Sequence, residues 1–131
     1  MATISATKSN ATLSGSIAGD SSSYDQRQKV EVFTYETLTE TNSDGSFIQL
    51  HSGVIDICFH VIGSDGTGGA LSIQGSNDGT NVVALKDETG AVISVNAGSI
   101  FSLSTRPLYI RPFVTAGTSV DYDVLCVVRY R

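Results

Sequence analysis

Residues 69–85 read G-A-L-S-I-Q-G-S-N-D-G-T-N-V-V-A-L, and no other stretch restricts the fold as much. Leu71 and Ile73 alternate with Ser72 and Gln74. The chain then reverses through Ser76-Asn77-Asp78-Gly79-Thr80-Asn81, and Val83 and Leu85 resume the same spacing. Alternation interrupted by Asn, Asp and Gly marks an antiparallel hairpin, because every second side chain faces a core and the reversal needs turn residues. Gly79 takes a left-handed backbone without a Cβ clash, and Asn77 and Asp78 can bond their own backbone. These three residues are read as a structural turn.

The two-residue period recurs along the chain. Over residues 29–39, Val30, Val32 and Thr34 alternate with Glu31, Phe33 and Tyr35, so both faces carry apolar groups. Residues 54–62 give the clearest case. Ile55, Ile57, Phe59 and Val61 make one face, and Asp56, Cys58 and His60 the other. Shorter strands are expected at 47–50, 91–95 and 98–104, with turns at 41–46, 63–69 and 86–90. Pro107 and Pro112 flank the strand 108–111, and proline cannot donate to a ladder, which predicts an edge or bulged strand. In the last strand, Val120, Tyr122, Val124, Cys126 and Val128 form one apolar face, with Leu125 and Val127 on the other between Asp123 and Arg129. That pattern fits a central strand, or one whose outer face meets another chain.

No window repeats apolar residues at three and four positions over a dozen residues, so essentially no helix is predicted. About eight or nine strands between regular turns give an all-β chain, a single antiparallel β-sandwich of jelly-roll or immunoglobulin-like type. The sandwich is placed at 29–131. Residues 1–28 are rich in Ser, Thr, Ala and Gly, with Ile4, Leu13 and Ile17 isolated. They offer little apolar area against an ordering cost of roughly 1–2 kcal/mol per residue. An extended N-terminal arm follows, with a short strand near 3–7, which orders against a neighbouring subunit or frays.

A chain of 131 residues suits one domain, which at this size buries roughly two-thirds of its surface. Only 16% of residues are charged, so Ser, Thr, Asn and Gly cover much of the exterior. Such a surface is cheaper to desolvate than a charged one and suits a subunit packed among neighbours. The net charge of -5 and scattered Lys and Arg argue against nucleic acid, which needs a clustered basic surface. No basic leader precedes an apolar run, and no stretch approaches the ~20 apolar residues of a membrane span. The expectation is a chain made and folded in a cytoplasm. There Cys58 and Cys126, both inside apolar strands, stay as buried free thiols; a disulfide would require neighbouring strands at the right separation.

No cofactor or small-molecule substrate is implied. Cys58-x-His60 is too little for a metal, Asp65 alone does not make a calcium loop, and no Gly-Lys-Ser/Thr follows the glycines at 63–69. A serine nucleophile would have only His51 or His60 as base, and neither sits in a nucleophile context. Asp87-Glu88 and Asp121 with Asp123 read as solvated charges flanking strands. The chain is read as no enzyme.

Two segments resemble small virion proteins of tailed bacteriophages. Residues 71–81 are similar to their strand, Gly-Ser-x-Asp-Gly-Thr-Asn, strand hairpin, and Leu108-Tyr109-Ile110-Arg111-Pro112 is similar to the Tyr-Ile-Arg strand that often follows. With the closing strand the likeness covers roughly the C-terminal half. It departs after Asn81, where an aromatic is common and this chain has Val82. Hairpins of this kind also occur in discoidin-like sugar- or lipid-binding sandwiches. Among phage proteins the likeness is strongest to a capsid decoration, or cement, protein. The resemblance implies a homotrimer on the capsid surface of the virion, partnered by itself and a major capsid protein. Contacts are then expected at Phe33, Tyr35, Tyr109 and Arg111, since aromatics and Arg concentrate binding energy, and at Leu125 and Val127. A carbohydrate- or receptor-binding module of a fibre or adhesin, and a connector or tail-completion protein, are the alternatives.

Overall fold

The computed structural model of the chain describes residues 3–11 and 29–130. Among the described residues nine strands form: β1 Thr7–Ala11, β2 Lys29–Leu38, β3 Ile48–Gln49, β4 Val54–Ser64, β5 Thr67–Ser76, β6 Val83–Ala84, β7 Ile100–Ser102, β8 Tyr109–Thr118 and β9 Asp121–Tyr130. The described residues contain no helix. One sheet runs β1-β2-β9-β4-β7 and the other β3-β8-β5-β6, every pairing antiparallel.

The pairings are nested. β5 meets β6, β4 meets β7, β3 meets β8 and β2 meets β9. A long hairpin folded over on itself in this way is a jelly roll, and the immunoglobulin-like alternative does not apply. The innermost turn of the roll is the Ser76–Asn81 reversal. The local signal that best defines a strand reversal in the sequence is therefore the tip around which the other pairs wind.

Alternation places the core. Tyr35, Ile57, Phe59, Val61, Tyr122, Val124, Cys126 and Val128 from the five-stranded sheet face Leu71, Ile73 and Ile110 from the other, all with no solvent exposure. Ile55 leaves its expected face and is 38% exposed. A register shift between Val54 and Asp56 inserts one extra residue against β9, and the alternation breaks there.

Several local expectations change. β8 lies inside its sheet, between β3 and β5, and is ten residues long. Pro112 is tolerated because β3 is only two residues long and ends before reaching it. On that side the Pro112 carbonyl accepts from Gly45 N at 2.9 Å, which asks nothing of the missing N–H. Residues 91–95 form no strand: Val92 and Val95 make isolated bridges to Lys86 and Leu71. The expected arm is partly docked. Ile4 exchanges backbone bonds with Asp44 and Ser46, and β1 begins at Thr7 and pairs with β2. The remainder of 1–28 lies outside the described residues.

Two carboxylates hold the loops at one end of the roll. Glu40 Oε2 and Oε1 accept from Ser119 N and Val120 N, each at 2.9 Å, and Asp123 Oδ1 accepts from Thr37 N at 2.9 Å. Thr37 and Ser119 are the described non-glycine residues with positive φ, 60° and 58°. Each carboxylate thus fixes a backbone position that L-residues rarely adopt.

Candidate interaction surfaces

The segments 71–81 and 108–112 are separate in sequence and adjacent in space. In the β5–β8 ladder Ser76 lies opposite Tyr109 and Gln74 opposite Arg111. Asn77 Oδ1 also accepts from Leu108 N at 3.0 Å, so Asn77 bonds the neighbouring strand rather than its own turn. Asp78 Oδ1 accepts from Thr80 N and Asn81 N, both at 2.8 Å, and from the Ser76 hydroxyl. Those bonds hold its carboxyl far below the usual carboxylate range. Gly79 has φ +79°, as the turn requires. An open groove of about 430 Å³ beside the turn is lined by Ser76, Asn77, Asp78, Asn81, Val83 and Pro107 among others. The acceptors of its only carboxylate are taken up by the turn, and no base faces it.

On the outer face of the four-stranded sheet, Tyr109, Arg111 and Phe113 project from β8, all partly exposed. The Arg111 guanidinium lies 4.6 Å over the Phe47 ring, and Phe47 meets Tyr109 edge-on at 6.0 Å. Arg111 Nε donates to Gln74 Oε1 at 2.8 Å, and Nη1 stands 3.9 Å from Asp44. Arg111 is fixed on three sides. Phe47 is the member of this cluster that sequence reasoning missed; it immediately precedes β3, whose register with β8 brings it level with Arg111.

On the outer face of the five-stranded sheet, Leu125 and Val127 of β9 stand opposite His60 and Cys58 of β4 and Thr34 and Val32 of β2. All six are partly exposed. Ile62 and Ile100 extend the surface and are 43% and 66% exposed. At one end of β9 lie Asp121 and Asp123, and at the other Arg129, whose Nη1 holds Asp56 at 2.8 Å.

Phe33 and Tyr35 do not reach either surface. Both point between the sheets, and the Tyr35 hydroxyl donates to the Ser46 carbonyl at 2.7 Å. β2 has two apolar faces, and the aromatic one is the core face. The cysteines are free. β4 and β9 are neighbours, but Cys58 pairs with Val127 and Cys126 with Phe59, which puts the thiols on opposite faces of the sheet. Cys126 is buried, which pushes its thiol well up, whereas Cys58 is partly exposed. Among the described residues no three His, Cys, Asp or Glu side chains converge to hold a metal.

No protein-family model matches the chain, and no curated protein matches it. Among solved structures it is similar to the crystal structure of FeII HppE, with a TM-score of 0.39 and 12% identity over 82% of this chain. The crystal structure of Fe(II)-HppE with alternative substrate (S)-1-HPP gives 0.38 and 11% over 79%. The chain spans 45% and 43% of those two structures.

Proposed function

We propose that this protein is a non-enzymatic head decoration subunit of a tailed phage, which binds the assembled capsid and stabilises it through inter-subunit contacts. The observation that carries the reading is the arginine–aromatic cluster on the four-stranded sheet, formed where the two phage-like segments pair. Tyr109, Phe47 and Arg111 are already locked against one another. A partner surface meeting them therefore immobilises little further side-chain freedom, and such pre-organised aromatic and Arg anchors dominate interface energies. Many identical copies on a shell add weak contacts into tight attachment. The jelly-roll fold is shared by viral capsid proteins, lectins and cupins, so it is compatible with the proposal without selecting it.

The test is co-sedimentation of the purified chain with phage heads stripped of decoration. The wild type pellets with heads, whereas Tyr109→Ala and Phe47→Ala leave it in the supernatant with unchanged circular dichroism. A rigid monomer that never pellets with heads overturns the proposal.

A further inference from the structure

We infer that the outer face of the five-stranded sheet is a self-association surface, on which a second copy of this chain packs with its β9 antiparallel to the first. This goes beyond head binding and does not depend on it.

Along β9 the outward residues run Asp121, Asp123, Leu125, Val127, Arg129, because Tyr122, Val124, Cys126 and Val128 face the core. The face is thus acidic at one end and aliphatic at the waist, and at the other end it carries Arg129 paired with Asp56 of β4. The waist widens sideways through Val32 of β2 and Cys58 and Ile62 of β4. A face-to-face copy related by a two-fold axis at the level of Cys126, lying between the sheets and across the strands, reverses this order. Leu125 then meets Val127 of the second copy, and Arg129 meets its Asp123, each pair occurring twice as an isologous contact demands. A copy packed with its strands in the same direction would set Asp123 against Asp123. Charge order selects the antiparallel arrangement, and it selects this chain as its own partner.

The size fits. Ten-residue strands about 33 Å long, three abreast at about 4.8 Å with shorter strands outside, present roughly 600 Å² a side. Two such faces bury roughly 1,200 Å², the lower bound for a stable specific interface. Sheets packed in this way lie about 10 Å apart and within about 30° of alignment, as the two layers of a sandwich do. Arg129 keeps its own Asp56 and adds the incoming carboxylate, since a guanidinium has five donors. Asp123 bonds Thr37 N through Oδ1 and retains lone pairs for the arginine.

Native mass spectrometry and sedimentation velocity on the purified full chain, without heads, test the inference. A dimer or an even-numbered assembly of dimers is expected at micromolar concentration. Leu125→Lys, at a partly exposed site, keeps its circular dichroism and weakens pairing at least 100-fold. Arg129→Glu and Asp123→Arg each weaken it about 10-fold or more, and the double variant recovers most of the loss because the swapped charges meet again. A monomer at every concentration overturns the inference, as does a trimer or an assembly indifferent to Leu125→Lys. Failure of the double variant to recover, with both single variants folded, overturns the antiparallel geometry. All of these readouts are independent of head co-sedimentation.

Discussion

Gly45→Ala tests how tightly the β8 side of the roll is seated. A Cβ at this position would lie 2.7 Å from Pro112 Cδ and 2.7 Å from Tyr35 Cε1. Neither neighbour has room to move. Pro112 is a rigid ring buried within β8, and Tyr35 is fully buried with its hydroxyl tied to Ser46 O at 2.7 Å. The segment cannot back away either, because Gly45 N bonds the Pro112 carbonyl and Val114 N bonds Ser43 O, both at 2.9 Å. Inserting a methyl into such a seam costs about 1–3 kcal/mol, or roughly 4–10 °C in melting temperature for a chain of this size. Urea unfolding followed by tyrosine fluorescence gives the value, with no tryptophan to interfere. Tyr35→Phe alone should cost about 1 kcal/mol for the lost bond. In the double variant the untethered ring can slide, so the two losses should sum to more than the measured total by about 0.5 kcal/mol or more. A Gly45→Ala protein within about 0.5 kcal/mol of wild type would refute the close approach of these three residues.

Other consequences are as direct. The Glu40 carboxyl is lowered by backbone N–H bonds, its own and those of Val120 and Ser119. Its stabilising contribution is present above the unfolded value of 4.5 and disappears as pH falls through the lower folded value. Glu40→Gln should therefore flatten the acid limb of a plot of melting temperature against pH, and an unchanged limb counts against the clamp. Asp78→Ala should abolish hydrogen-exchange protection at the Thr80 and Asn81 amides while leaving β9 protected, because Asp78 Oδ1 is the acceptor for both. In the Leu125→Lys variant, which leaves the face uncovered, a thiol reagent should modify Cys58 and leave Cys126 unreacted, with both reacting in guanidinium. Rapid native labelling of both would show that the roll opens.

Most of the fold was legible because strand alternation and turn chemistry are local signals. Tyr122 through Val128 could be assigned a face from spacing alone, and the turn at Asn77–Gly79 from residue type. Pro112 misled, because the rule that removes proline from central strands assumes a full-length neighbour, and β3 is two residues long. No local pattern encodes that. Phe33 and Tyr35 misled for another reason. When both faces of β2 are apolar, sequence does not say which one turns inward; the pairing of Phe33 with Cys126 and Tyr35 with Val124 does. The surface cluster needed long-range register as well, since Gln74 and Arg111 are 37 residues apart in the chain.

The two outer faces hold their side chains differently, and this separates their uses. On the four-stranded sheet each exposed group is braced by another: Arg111 by Gln74 and Phe47, Phe47 by Tyr109. Those braces leave few open donors, so specificity there comes from the shape of locked rings, which suits an unlike partner with a complementary relief. On the five-stranded sheet Leu125, Val127 and Val32 form a row of aliphatic groups with no hydrogen bonds to satisfy. Such a row fits almost any apolar surface and would be indiscriminate by itself. The charges at its two ends supply the selectivity, because mismatched ends repel while reversed ends attract. If that division holds, Leu125→Lys should disperse the self-assembly yet leave monomeric protein able to bind heads, and Tyr109→Ala should do the reverse. A single substitution that abolishes both would mean the two faces act as one.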